Sequence, residues 1–100
     1  MSEHPLKPLE TLDESLFATV MAGGAGIYQS GALSEKHKLL IALAIDASKG
    51  AVGGVEHLGR LALQAGASKA EIADALRIVH YICGVGAMYT AAYGLKSVLE

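Results

Sequence analysis

The sequence predicts an all-α fold of about five helices, and three observations carry that prediction. Apolar residues recur at helical spacing in segment after segment, as with Ile72, Leu76, Val79 and Cys83. No segment shows the period-two alternation of a strand, and runs of β-branched residues are missing. Capping residues and glycines stand where such helices would start and stop.

Residues 1–8, with Pro5 and Pro8, read as a loose arm. Thr11 or Asp13 caps a first helix running to about Tyr28, with Leu12, Leu16, Phe17, Val20 and Met21 as its apolar stripe. Gly23, Gly24 and Gly26 weaken its end or let a neighbour approach closely. Ser34 caps a second helix that ends at Lys49 and Gly50, a C-terminal cation followed by a glycine stop. Apolar residues cover it nearly all round, which predicts a central helix. A glycine-rich turn, 51–54, leads to a third helix from about Val55 to Ala65. Ser68 and Glu71 make a capping box for a fourth, which Gly84 and Gly86 break. A last helix runs from about Ala87 to Val98.

One hundred residues make a single domain, 1–100. Hydrophobic residues make up 52% of the chain and charged ones only 18%. A domain this short buries roughly two thirds of the surface its unfolded chain exposes. The surplus apolar surface predicts a homo-oligomer, anywhere from dimer to hexamer. No stretch reaches the ~18 uninterrupted apolar residues of a spanning helix, so no membrane role is expected. The acidic N-terminus lacks a signal peptide's basic start and a lone cysteine suits a reducing compartment, so a cytoplasmic location is expected. The net charge of −2 and scattered basic residues argue against nucleic acid, and Lys36, His37 and Lys38 read as a solvated turn.

The polar residues allow several sites. G-A-V-G-G at 50–54 follows a helix and lacks the Lys-Ser or Lys-Thr of a phosphate loop, so it reads as a helix–helix turn. Glu56 and Arg60 are spaced to pair, and His57 and Arg60 share a side with Gln64. They form either a solvated helix face or a site for a small anionic ligand. Asp46 stands among apolar neighbours and needs a partner: Lys49 nearby, or Arg77 or His80 across helices. His80 is either a buried, satisfied histidine or an acid/base in a cleft. Cys83 reads as a small core residue at a helix C-terminus, whereas a catalytic cysteine would sooner sit at a helix start. The four histidines are dispersed and no second cysteine exists, so no metal and no cofactor are expected.

The run from Leu33 to Lys49, the following turn, and L-x-x-G-A-S-x-x-E-I-x-x-A-L-R over Leu63 to Arg77 resemble the carboxymuconolactone decarboxylase and alkylhydroperoxidase D-like family. Y-I-C-G-V-G-A, Tyr81 to Ala87, is similar to the decarboxylase branch. The likeness spans about 33–97, with 9–29 as a helical extension. It implies an all-α fold and homo-oligomers with sites near subunit contacts. In the redox branch it implies a glutamate, a C-x-x-C and a histidine. Those positions fall here on Leu39, Ala51, Gly54 and Leu58, while His57 lies one residue off register, about 100° round the helix.

Three readings follow. The first is a decarboxylase-like lyase or isomerase acting on a small carboxylated substrate at a subunit interface. In it Arg60 binds substrate, and His57, His80 and Glu56 are the catalytic candidates. The second is a non-catalytic binding or scaffold oligomer. The third, an alkylhydroperoxidase-type peroxidase using Cys83 with an external thiol, conflicts with the missing cysteine pair.

Overall fold

A computed structural model describes residues 4–100; the start of the N-terminal arm, 1–3, lies outside the described residues. Six helices follow in chain order: α1 Pro8–Leu12, α2 Glu14–Gly23, α3 Glu35–Ser48, α4 Val52–Gln64, α5 Lys69–Cys83 and α6 Val85–Leu95. There is no strand among the described residues, and the all-α fold stands.

The first predicted helix is α2, capped by Asp13, one of its two expected caps; it ends at Gly23 rather than near Tyr28, and the short α1 precedes it. Pro8 opens α1, and Asp13 breaks it by taking an extended backbone at φ −164°. The Asp13 carboxylate then accepts from the backbone N–H of Ser15 at 2.9 Å and of Leu16 at 3.1 Å. This is a strong cap, and a residue that caps one helix cannot lie inside another. Neither α1 nor α2 has a buried residue, so the expected stripe of Leu12, Leu16, Val20 and Met21 stands uncovered in the single chain.

The core belongs to α3, α4, α5 and α6, with α3 packed against each of the other three. Leu39, Leu43 and Ala47 of α3 meet Val55, Leu58 and Ala62 of α4 in it, and Ile72, Val79, Ala91 and Leu95 complete it. The all-round cover expected for α3 is incomplete, because Ile41 and Ile45 remain exposed. Gly50 ends α3 at φ 75°, and the Ala51 N–H returns to the Asp46 carbonyl at 2.9 Å. The glycine turn expected at 51–54 is shorter than that, since α4 starts at Val52 and includes Gly53 and Gly54.

Both predicted serine caps form. Ser34 accepts from the His37 N–H at 3.2 Å. Ser68 and Glu71 make the full capping box, and the Glu71 carboxylate also holds Lys36 of α3 at 2.9 Å. The basic cluster is therefore more than a solvated turn. Lys38 donates to the carbonyls of Ile27 and Gln29 at 3.2 and 2.8 Å, fastening the loop after α2 to α3.

Two glycines set how closely α4 and α6 approach. A Cβ at Gly94 would lie 2.6 Å from Cγ1 of Val55 and 2.9 Å from the Val52 carbonyl oxygen. One at Gly59 would lie 2.7 Å from Leu95 Cδ2. Hydrogen atoms in both places let the helix backbones nearly touch.

Candidate functional site

The close α4–α6 contact fixes which way α4 turns its polar side. Val55, Leu58 and Ala62 go inward, and Glu56, His57 and Arg60 are left half-buried at the rim. Glu56, His57, Arg60 and Gln64 line one cleft of about 330 Å³. The Arg60 guanidinium donates to the Glu56 carboxylate at 3.3 Å and to the Ser97 hydroxyl at 3.0 Å.

His57 also lines an adjoining cleft of about 450 Å³ with mostly apolar walls, including Val20 and Met21 of α2, Tyr28 of the following loop, and Leu58. His4, from the arm, packs its ring on the His57 ring with centroids 4.4 Å apart and planes inclined at 59°. Burial lowers the His57 pKa from its ordinary 6.5, and the neighbouring His4 charge lowers it further. A neutral imidazole at neutral pH accepts a proton and carries no charge into either cleft.

Asp46 lies on the wall of the same larger cleft. The expected partners do not meet it. Among the described residues its carboxylate makes no hydrogen bond or ion pair, and Arg77 pairs instead with Asp74 at 3.1 Å. Asp46 turns toward Gly54, where a Cβ would overlap its Oδ2 and lie 2.8 Å from its Cγ. The missing Cβ is what gives the carboxylate its place.

The structure does not bring His80 to this site. It is exposed, not buried, and lines a separate shallow cleft with Leu76, Arg77 and Met88. Cys83 is also exposed, contrary to the core role its spacing suggests. The buried stripe of α5 runs from Ile72 to Val79, and one turn later no helix lies over Cys83. Among the described residues no cluster of His, Cys, Asp or Glu could hold a metal. None of the described helices is long and apolar enough to cross a membrane. Nothing in the sequence marks His4, since it stands in an arm without periodicity. The Asp46–Gly54 contact does leave a trace, an aspartate amid apolar residues of one helix with a glycine early in the next.

The chain matches the carboxymuconolactone decarboxylase family over residues 14–95, from the first residue of α2 to the last of α6. It belongs to that family. No curated protein and no solved structure matches it. Of the positions where the resemblance puts the redox members' glutamate, cysteines and histidine, Leu39 and Leu58 are core residues, 3% and 6% exposed. Ala51 and Gly54 flank the start of α4 and carry no reactive group.

Proposed function

We propose that this family member is a lyase or isomerase that moves a proton on a small carboxylated substrate, in the cleft where Glu56, His57 and Arg60 meet. The observation that carries this reading is the company His57 keeps: a neutral imidazole beside a guanidinium and a carboxylate on one wall. Arg60 has donors left over after Glu56 and Ser97 and would hold the substrate carboxylate. Neutral His57 would take a proton from carbon and return it at another position, with Glu56 as the second acid/base group. The family's name suggests carboxylated lactones as the first substrates to try. In such an assay His57→Gln should lower kcat by about 100-fold or more, and Arg60→Met should chiefly raise KM. Equal turnover by the parent and His57→Gln would overturn the assignment.

The second reading, a non-catalytic binding oligomer, has one observation in its favour: Arg60 already has two partners within the chain. Binding of small carboxylates without turnover of any would decide for it.

Self-association belongs to either reading. Ile78, Tyr81 and Ile82 of α5 and Val85, Tyr89 and Tyr93 of α6 are all exposed, with Tyr81 at 89%. Large apolar side chains gathered on two consecutive helices suit a second copy of the chain. His80 lies on α5 beside Tyr81, so association through this face would put it near the partner, where it could complete a shared site.

A further inference from the structure

The larger cleft, which His57 lines and Arg60 does not, has a chemistry of its own. Its walls are mainly apolar, from Leu6, Val20, Met21, Tyr28 and Leu58. At about 450 Å³ it falls within the size range of small-molecule sites. No lysine or arginine lines it. Its polar side chains are the two histidines, His4 and His57, the Tyr28 hydroxyl, and the Asp46 carboxylate, which has no partner among the described residues. Gly54 keeps that carboxylate in place against α4.

The Asp46 carboxylate has no partner among the described residues, so its acceptor positions are open to a ligand's charged donor. The same carboxylate repels anions, and no lysine or arginine on the wall compensates it. We infer that the Asp46 cleft is a binding site for a small apolar amine, with the ammonium group on the Asp46 carboxylate and the hydrocarbon body against Val20, Met21 and Leu58. This cleft adjoins the one assigned to a carboxylated substrate, sharing His4, Pro5 and His57 with it, but Asp46 lines only this cleft and the site stands whether or not that chemistry takes place. Neutral His57 supports it, since an imidazolium on the wall would oppose a cationic ligand.

The test uses three probes of one chain length: n-hexylamine, n-hexanol and hexanoate. An alkylammonium, like a lysine side chain, stays charged at neutral pH. Calorimetry on the full chain should show hexylamine binding about tenfold or more tighter than hexanol, as a charge-assisted hydrogen bond provides. Hexanoate should bind weakest. In Asp46→Asn the preference for amine over alcohol should vanish while hexanol binding persists, which also reports that the cleft is intact. An equal affinity for amine and alcohol in the parent would overturn the site, and so would a preference that survives in Asp46→Asn. A second measurement needs no variant: hexylamine should shift the amide resonances of Gly53, Gly54 and His57. Shifts confined to other parts of the chain would count against the proposal.

Discussion

His57 is where single-residue physics bears most directly on behaviour. Its ring is part-buried and packed on His4, so the protonated form is disfavoured in the folded chain and its pKa lies below the ordinary 6.5. Between the lowered value and 6.5 the unfolded chain binds more protons than the folded one. Stability is therefore complete above 6.5 and declines as pH falls through the folded value. Denaturant midpoints taken from neutral to mildly acidic pH should show that decline in the parent and a shallower one in His57→Gln. Activity that uses His57 as a base should fall over the same acidic window, because an imidazolium has no lone pair to accept with. The grouping of Glu56, His57 and Arg60 was legible in the sequence, since helical spacing alone puts them on neighbouring turns. The fate of Asp46 was not. The sequence offers charged partners at Lys49, Arg77 and His80, and the structure gives the carboxylate an open cleft, an outcome decided by the missing Cβ at Gly54.

Helix starts set by side-chain caps were readable, and boundaries set by tertiary contact were not. Ser34 and Ser68 cap as expected, because a serine hydroxyl near a free N–H acts locally. By contrast α4 begins at Val52 with no side-chain cap from Ala51, and packing holds its first turn, with Val55 fully buried against α6. Glycines within helices therefore differ in meaning according to what lies opposite. Gly94→Ala would push a methyl group into Val55 and the Val52 carbonyl and should cost about 1–3 kcal/mol, a drop of roughly 4–8 °C in Tm per kcal/mol. Gly86, also in α6, has nothing within 4 Å of a new Cβ. Gly86→Ala should hold or raise Tm, by up to about 1 kcal/mol of helix propensity. Scanning calorimetry on the two variants tests this directly, and equal shifts would refute the packing account.

For the whole molecule, the surplus of apolar residues was visible in composition, but its location was not. Periodicity marks the apolar stripe of α5 without saying which residues α3 will cover. The structure covers Ile72 and Val79 and leaves Ile78, Tyr81, Ile82 and Cys83 outside. If that face joins copies of the chain, Tyr81→Glu combined with Ile82→Asp should reduce the mass measured by light scattering to that of one chain. It should also remove any dependence of Tm on protein concentration. A monomeric parent, or an unchanged mass in the double variant, would place the contact elsewhere or nowhere.

The leucines at 39 and 58 carry a consequence for what this core can accept. A cysteine at Ala51 would enter a part-buried position ahead of α4, whereas at Gly54 its Cβ would overlap the Asp46 carboxylate. Glutamate or histidine returned to the other two positions would instead enter sites only 3% and 6% exposed, now filled by hydrocarbon from neighbouring helices. Burying such groups without partners costs several kcal/mol, a large part of the net stability of a domain this size. Glutamate at 39 or histidine at 58 would thus be opposed by folding before any chemistry could reward it.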